Sequence, residues 1–264
     1  MTDSETYEPC DGPQRGDLVL PSGIILKLKR DKYGDPIRRK GRLVARGCYQ
    51  SDGESYVELY TPVACIELVR LLLAVAVEMD WDIEHVDIKG AFLYARLPDS
   101  DRIVIRLPKI DGVKAANGQY VRLRRSLYGL RQAPKLWYAH LARALKGIGL
   151  IEAASTNCLF KSTGATPVFV LVYVDDLLIV GAPKGVAQVK AELAKKFTTT
   201  NLGPCTHFLG IAVDRSDKGI FLSQKPFTDN LVEFAGLTSA KPTQTPLPLS
   251  HCLYEKTEEP NVEE

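Results

Sequence analysis

The sequence predicts an α+β fold with the order strand, helix, hairpin, helix, strand, which is the split βαβ or βαββαβ arrangement. Two short apolar runs at 169–173 and 177–180 are separated by only three residues, which indicates a hairpin. The flanking segments repeat apolar residues at helical spacing, and a further apolar run at 81–88 has the length of a strand. With 264 residues, 45% of them hydrophobic and 25% charged, the chain is expected to form one or two globular domains.

Upstream of this unit the sequence predicts a β-rich segment followed by a buried helix. Residues 18–30 are interpreted as a hairpin that turns at Pro21, Ser22 and Gly23, because proline and glycine favour turns. A strand at 39–48 is expected after the Gly-Asp-Pro turn at 34–36. Residues 62–79 have the length and the Leu, Ala and Val content of a buried helix.

Within the βαββαβ unit, the first helix is expected to begin near Ala133 and to stop at Gly149. Trp137, Leu141 and Leu145 recur every four residues, so they lie on one face of this helix, together with Ile148. The remaining predicted elements are a strand at 81–88, a helix at 184–197, strands at 207–213 and 219–222, and a helix at 226–235.

Composition excludes several classes of protein. Charged residues interrupt every long apolar stretch, so no segment of 18 apolar residues is available to span a membrane. The first ten residues are polar and acidic, unlike a secretory signal, and an intracellular location is therefore expected. The six cysteines are scattered without zinc-ligand spacing and are expected to be free thiols.

The net charge of +2 conceals an uneven distribution. Residues 27–46 contain nine Lys or Arg and two Asp, and residues 118–150 contain seven basic residues and no acidic one. The last eleven residues carry five Glu and one Lys. Either basic segment alone is typical of a solvated surface, but two of them around an acidic stretch at 80–87 indicate a channel for a polyanion.

Asp175 and Asp176 stand between two apolar strands, where an unpaired carboxylate is costly to bury. Magnesium would neutralise them, because it binds through one or two carboxylates together with substrate phosphates. In a split βαβ sheet the first strand lies beside the hairpin, so Asp87 is a candidate third ligand. Two such ions would serve an in-line displacement at phosphorus. The alternative is a solvent-facing turn at 175–176, with Asp87 as a helix or turn cap.

Five short motifs follow one another along the chain: GRLVARG at 41–47, VDIKGAFL at 86–93, SLYGLRQAPKLWY at 126–138, YVDDLLI at 173–179 and FLGIAV at 208–213. YVDDLLI is similar to the Y-x-D-D signature of reverse transcriptases, in the longer form typical of copia-type long-terminal-repeat retrotransposons. The other four motifs also resemble those of this family. Together they follow the family's order and spacing over 27–247, so the chain resembles the RNA-dependent DNA polymerase domain of a Pol polyprotein.

The resemblance implies a right-hand reverse transcriptase architecture, with a polymerase palm of βαββαβ, ferredoxin-like type and a partial fingers subdomain. The fingers look shortened, because the family's Trp-containing lead is replaced by ILKLKR at 25–30. The expected division is a frayed N-terminus at 1–17, a fingers-like part at 18–80, a palm at 81–240, and a Pro/Thr-rich then acidic tail at 241–264. The chain is expected to end before the family's connection and ribonuclease H regions.

The resemblance also assigns the acidic residues and the sugar contact. It implies that Asp87, Asp175 and Asp176 are catalytic and hold two Mg²⁺ ions, with Mn²⁺ as an alternative. The backbone carbonyl of Ile88 would be a further ligand. Phe92 would lie under the sugar and select deoxynucleotides by blocking a 2′-hydroxyl; the other interpretation is an ordinary core phenylalanine.

Further nucleotide and primer contacts follow from the same resemblance. Lys40 and Arg42 would bind the incoming triphosphate, and which of the two reaches it stays open. Gly129 would allow the chain to approach the templating base pair closely, unless it is an ordinary loop glycine. The implied nucleotide-binding turn comprises Tyr128, Gly129 and Arg131, and the implied primer grip comprises Phe208, Leu209 and Gly210, which is otherwise a core hairpin.

The implied function is template-directed DNA synthesis, in which a nucleotide passes from a dNTP to a primer 3′-hydroxyl. The implied partners are an RNA or DNA template with its primer and a dNTP; no membrane partner is expected, and no oligomeric state is predicted. The implied location is cytoplasmic, including virus-like particles, with access to the nucleus. One alternative is a truncated, catalytically silent retrotransposon relic that at most binds nucleic acid, and another is a two-metal nuclease.

Overall fold

The computed structural model describes residues 5–30, 36–50, 64–109, 119–154, 156–164 and 166–243, although nothing is described of the side chains of residues 29 and 30. These ranges contain three β-sheets and four α-helices. The helices are α1 (Ile66–Glu78), α2 (Ala133–Lys146), α3 (Pro183–Lys196) and α4 (Lys225–Phe234). The strands are β1 (Tyr7–Cys10), β2 (Leu18–Arg30), β3 (Pro36–Ala45), β4 (Asp82–Ile88), β5 (Ile103–Arg106), β6 (Tyr120–Leu123), β7 (Leu150–Glu152), β8 (Leu159–Ser162), β9 (Phe169–Tyr173), β10 (Asp176–Gly181), β11 (Thr199–Pro204), β12 (His207–Phe208), β13 (Ile211–Ser216) and β14 (Gly219–Ser223).

The central sheet has six strands in the order β11-β4-β10-β9-β8-β7. Its first four strands, with α2 and α3, realise the predicted βαββαβ order as β4-α2-β9-β10-α3-β11. The closing strand corrects the prediction, because β11 was not expected. Asn201, Gly203 and Pro204 are turn-forming residues, which an edge strand tolerates, and the β11–β4 register shifts between Asn201 and Gly203.

Both faces of the central sheet are covered. Val86, Leu177 and Ile179 point to one face and pack with α2 and α3. Leu178 and Val180 point to the other face, where they pack with α1 and with a sheet of β12, β13 and β14. Burial on both sides explains why β9 and β10 consist of continuous apolar runs.

A second sheet has five strands in the order β1-β6-β5-β2-β3. It takes strands from both sides of the boundary expected at residue 80, while α1, from the first side, packs on the central sheet. The contiguous division into 18–80 and 81–240 is therefore corrected to two interleaved bodies. Of the segment 1–17 that is expected to be frayed, residues 1–4 lie outside the described residues, but the remainder is held in place: β1 pairs with β6, and the buried Asp17 carboxylate accepts hydrogen bonds from Arg122 and Arg102.

The hairpin predicted at 18–30 is one continuous strand, β2. Its first four residues pair in parallel with β5, and from Ser22 onward it pairs with β3. Pro21 and Ser22 therefore mark a change of partner rather than a turn. β2 and β3 are antiparallel, and residues 31–35, which join them and include Gly34 and Asp35 of the predicted turn, lie outside the described residues.

The segment 207–213, predicted as one strand, is divided by a turn. Leu209 and Gly210 separate β12 from β13 and have φ values of +49° and +78°.

The helices α2, α3 and α4 carry proline in their first turn, where its missing N–H costs no helical hydrogen bond. Of the predicted tail at 241–264, residues 244–264 lie outside the described residues. No helix in the described part is long and apolar enough to cross a membrane.

Candidate functional site

The site begins at the two-residue turn between β9 and β10. Val174 and Asp175 form this turn, and Val174 has a φ of +57° although its side chain is β-branched. The indole Nε1–H of Trp137 donates a hydrogen bond to the carbonyl of Val174 at 2.7 Å. The backbone N–H of Ile88 donates to the carbonyl of Asp175 at 2.9 Å. Contacts from α2 and β4 therefore hold the turn.

The structure brings the three predicted carboxylates to one end of the sheet. Asp176 is the first residue of β10 and lies directly opposite Asp87 on β4. Opposed residues of antiparallel strands project from the same face, so these two side chains share a face. Asp175 lies in the adjoining turn, so carboxylates that are 88 residues apart in the chain become neighbours.

Electrostatics support this proximity. Burial raises the pKa of Asp175, and the negative charges of Asp176 and Asp87 raise it further. A hydrogen bond from the backbone N–H and the positive charge of Lys40 act in the opposite direction, lowering this pKa. Bringing a cation to these carboxylates would relieve their mutual repulsion.

The donor chemistry of the three carboxylates suits magnesium, which prefers oxygen ligands. In the described part of the chain, however, no three His, Cys, Asp or Glu side chains stand in a ready-made metal-binding group. One carboxylate oxygen of Asp176 lies 2.9 Å from Nε2 of His85. Mg²⁺ needs only one or two protein carboxylates when substrate phosphates and water complete its shell, so the residues present fit such an ion.

His85 is a residue that the sequence analysis did not identify. It lies two residues before Asp87 on β4, so it projects from the same face and reaches Asp176. The edge of Phe208 meets its ring at a centroid distance of 5.5 Å. Strand alternation from Asp87 is the available signal, but a single histidine on a strand forms no distinctive motif.

The basic residues predicted to bind a triphosphate lie close to these carboxylates. Lys40 and Arg42 are alternate residues of β3 and so share a face of that strand. The guanidinium carbon of Arg42 is 5.5 Å from the centre of the Tyr128 ring, and Arg42 also hydrogen-bonds with Tyr128. Its buried Nε has no hydrogen-bond partner among the described residues.

Phe92 and Tyr128 form an aromatic contact beside the acidic residues. Their ring centroids are 4.9 Å apart and the rings are nearly perpendicular. Burial raises the pKa of Tyr128, and the charges of Asp175 and Asp87 raise it further, whereas Arg42 lowers it. Tyr128 therefore lies between the basic strand and the carboxylates.

Gly129 permits a close approach, but the structure shows that approach to be within the chain. A Cβ atom at Gly129 would lie 2.1 Å from the carbonyl oxygen of Ala45, and one at Gly47 would lie 2.0 Å from the oxygen of Gly129. Backbone hydrogen bonds link Ala45 to Tyr128 and Gly47 to Gly129. The backbone N–H of Arg131 donates to the side chain of Gln50. This turn is thus clamped to the end of β3.

The hairpin predicted as a primer grip lies on the same side of the sheet. Phe208 is 2% exposed and contacts His85, which in turn contacts Asp176. Leu209 and Gly210 form the turn that follows. The structure therefore connects this hairpin to the acidic cluster through one histidine.

Carboxylates close to basic and aromatic side chains define a class of site suited to binding and transferring phosphoryl groups. The model of the family described as "Reverse transcriptase (RNA-dependent DNA polymerase)" matches residues 4–248. The chain therefore belongs to the reverse transcriptase family, as its motifs predicted.

Relatives are found among the polyproteins of plant transposons. The chain is 32% identical over 249 residues to the retrovirus-related Pol polyprotein from transposon TNT 1-94 of Nicotiana tabacum, with 92% of this chain and 18% of the polyprotein covered. It is 35% identical over 246 residues to that from transposon RE1 of Arabidopsis thaliana, with 92% and 17% covered. The chain thus spans less than a fifth of the length of these relatives.

Among solved structures, the chain is similar to a foamy viral protease–reverse transcriptase in complex with double-stranded DNA. The sequence identity is 14% and the TM-score is 0.41, with 80% of this chain and 32% of the viral chain covered.

Proposed function

We propose that this chain is an RNA-directed DNA polymerase domain that extends a primer on an RNA or DNA template. The observation that carries the proposal is the opposition of Asp87 and Asp176 in paired strands, with Asp175 in the adjoining turn. Family membership supports the same chemistry. The geometry favours a nucleotidyl transfer in which the primer 3′-oxygen attacks the α-phosphorus of a dNTP and pyrophosphate leaves.

In this proposal Asp87, Asp175 and Asp176 hold two divalent cations, with the carbonyl of Ile88 as a further ligand. Mg²⁺ or Mn²⁺ supplies charge that lowers the pKa of the primer hydroxyl and stabilises the departing pyrophosphate. The raised pKa of Asp175 is consistent with a site where negative charge needs a counter-ion.

The basic strand orients the triphosphate of the dNTP. Lys40 lies near enough to Asp175 to lower the pKa of that residue, so its charge reaches the site. Arg42 offers a planar guanidinium whose buried Nε has no partner among the described residues. A bidentate arginine suits a phosphate, and both cations would offset the charge of the transition state.

Phe92 and Tyr128 are proposed to contact the sugar and the base. Their perpendicular contact supports a fixed wall beside the carboxylates. A phenylalanine at this wall would exclude a 2′-hydroxyl, which is the group that distinguishes RNA from DNA precursors. Gly129 and Arg131 would contribute through the turn that is clamped to β3.

The two bodies correspond, in this proposal, to the subdomains of a right-hand polymerase. The central sheet with α1, α2 and α3 is assigned to the palm, and the five-stranded sheet to the fingers. Phe208, Leu209 and Gly210 would hold the primer 3′ end, a role supported by the contact of Phe208 with His85 beside Asp176.

The nucleic-acid partner would be held mainly through its phosphates. Residues 27–46 and 118–150 are strongly basic, and sequence information would come from base pairing within the template duplex. Binding is then expected to weaken steeply with salt, because dissolved cations compete with Lys and Arg for the phosphates and make the release of counterions from the duplex less favourable.

The direct test is primer extension on a poly(rA)/oligo(dT) substrate with Mg²⁺ or Mn²⁺. The wild-type chain is expected to extend the primer, and Asp175→Asn to lose activity by about a thousandfold, because several kcal/mol of charge stabilisation disappear. Asp82→Asn is the matched control, since Asp82 lies at the opposite end of the same pair of strands.

Two outcomes would contradict the proposal. Extension that survives Asp175→Asn would show that the acidic site is assigned wrongly. A folded wild-type chain that binds the duplex in a salt-dependent manner but never extends the primer would establish the silent relic instead.

A further inference from the structure

The turn that carries Asp175 has valine at a position where tight hairpins rarely have it. Two-residue hairpin loops favour Gly, Asn or Asp at positions of positive φ. Val174 occupies such a position with a φ of +57°. A β-branched residue is strained there, so the surrounding structure must impose this conformation.

A hydrogen bond from a residue of α2 holds Val174 in this conformation. The Trp137 side chain is almost completely buried, at 1% exposure, and its Nε1–H donates to the Val174 carbonyl at 2.7 Å. Tryptophan has a single donor and no acceptor, so this bond fixes the direction of that carbonyl. The peptide unit so oriented is the one that leads into Asp175.

The indole ring is itself held in place. It packs against Tyr94 and His140 at centroid distances of 6.1 Å and meets Phe197 edge-on at 5.6 Å. The Tyr94 hydroxyl accepts a hydrogen bond from the backbone N–H of Thr198, which follows α3. Trp137 therefore connects the turn to α2 and to the residues at the end of α3.

We propose that Trp137 is a positioning residue for the acidic turn: its N–H forces Val174 into the left-handed conformation and thereby aims the Asp175 carboxylate at the reacting phosphate. This inference rests on the proposed polymerase function. It also makes a structural statement that holds without activity, namely that the indole N–H is bonded and shielded in the folded chain.

The competing interpretation is that Trp137 only fills the core. A core role and a positioning role differ in what they change. Loss of packing lowers the free energy of unfolding, whereas loss of the N–H at constant shape moves the turn. A displacement of about 1 Å at a reacting group costs about a hundredfold in rate.

The experiment replaces Trp137 with 3-benzothienylalanine, which keeps the bicyclic shape but has sulfur in place of the N–H. Trp137→Phe is a second variant that is made by ordinary mutagenesis. Trp81→Phe is the matched control, since Trp81 is the only other tryptophan and is buried against Phe169, away from the turn. Each full-length variant is assayed for thermal unfolding, for kcat and for KM of the primer-template.

For the benzothienyl variant we expect an unfolding midpoint close to that of the wild type, a kcat lower by roughly ten- to hundredfold, and an unchanged KM for primer-template. Trp81→Phe should leave kcat within about twofold of the wild type. If the benzothienyl chain folds and extends at the wild-type rate, Trp137 is a packing residue and the proposal is wrong.

A readout without catalysis separates this proposal from the polymerase function. In a ¹⁵N spectrum the chain should show two indole signals, which Trp81→Phe assigns, and the signal of Trp137 should exchange slowly with solvent. Rapid exchange of that signal would overturn the proposed bond. Slow exchange in a wild-type chain that does not extend primers would instead count against the polymerase function alone.

Discussion

The central sheet and the five-stranded sheet contribute to the site in opposite ways. The acidic residues stand at the end of β4 and β10, strands whose apolar side chains are buried on both faces. Lys40 and Arg42 stand on β3, which pairs with β2 in a long hairpin where Leu26 is 81% and Ile37 67% exposed. The carboxylates therefore stand at the end of buried strands, whereas Lys40 and Arg42 lie on a hairpin that exposes apolar side chains.

Because of this difference, the position of β3 relative to the central sheet determines how close Lys40 and Arg42 lie to the carboxylates. The end of β3 lies against the turn at Tyr128 and Gly129, which leads into α2 of the central body, at a separation that leaves no room for a Cβ atom. A substitution that moves the end of β3 away from this turn should separate Lys40 and Arg42 from the carboxylates without altering either sheet.

The largest effect is therefore expected from Gly129→Ala. Its Cβ would lie 2.1 Å from the Ala45 oxygen, so the backbone must shift. Gly149→Ala is the matched control, because both glycines have a φ of +89° but nothing lies within 4 Å of the Cβ position of Gly149. Urea unfolding should show a loss of about 1–2 kcal/mol for Gly149→Ala, and about 2–3 kcal/mol more for Gly129→Ala.

Primer extension should follow the same order. Gly129→Ala should lower activity severely even where the chain remains folded, and Gly149→Ala should leave it near that of the wild type. Equal free energies of unfolding in the two variants would show that the contact between β3 and the turn at Gly129 is loose and that the contrast between the bodies is mistaken.

The next effect concerns the wall between the bodies. Phe92→Val shortens the side chain that meets Tyr128 edge-on, and the space created should admit a 2′-hydroxyl. Discrimination against ribonucleotides, measured as a ratio of kcat/KM values, should fall about ten- to hundredfold. Phe221→Val, at an exposed position of β14, should leave the ratio unchanged. An unchanged ratio in Phe92→Val would assign Phe92 to the core.

A smaller effect is expected from Arg42→Lys, which keeps the charge but removes the planar guanidinium from the Tyr128 ring. The KM for dNTP should rise about tenfold, which corresponds to about 1.4 kcal/mol. Arg70→Lys, at an exposed position of α1, is the control. A KM that stays constant would give the triphosphate contact to Lys40 alone.

The smallest effect on extension is expected from Asp17→Asn, because Asp17 lies just before β2 and is not a residue of the proposed site. Hydrogen bonds from Arg122 hold the pKa of Asp17 far below its ordinary value of 3.8. The group therefore stabilises the fold above pH 3.8, and this contribution declines as the pH falls below that value. Wild type and variant should differ in urea midpoint at pH 7 and converge in acid.

The exposed Asp11→Asn should show no such difference at any pH. A gap between Asp17→Asn and the wild type that persists undiminished at low pH would mean that the carboxylate is not ionised in the folded chain.

The parts of the fold that the sequence could predict are those with strong local signals. The hairpin of β9 and β10, the helices α2 and α3, and the convergence of Asp87 with Asp175 and Asp176 follow from apolar runs, helical spacing and the family motifs. These elements are buried, so their side-chain pattern is constrained by the core. Their roles in catalysis stay predictions.

The features that the sequence did not predict depend on tertiary contacts. The strands β1 and β11 are edge strands with proline or glycine in their sequences, so pairing with β6 and β4 overrides weak local preference. Pro21 suggested a turn where β2 only changes partner. Helical spacing identifies Trp137 as a buried residue of α2, but its bond to Val174 and the contact of His85 with Asp176 are tertiary contacts without a local signature.

In the proposed site, carboxylates from β4 and from the β9–β10 turn share one cation-binding point. Mn²⁺ titrated into the ¹⁵N-labelled chain with a chain-terminated primer-template and dNTP tests it most directly. The amide signals of Ile88, Asp175 and Asp176 should broaden first, and this selective broadening should disappear in Asp175→Asn. Broadening centred elsewhere, such as on the five glutamates of the last eleven residues, would contradict it.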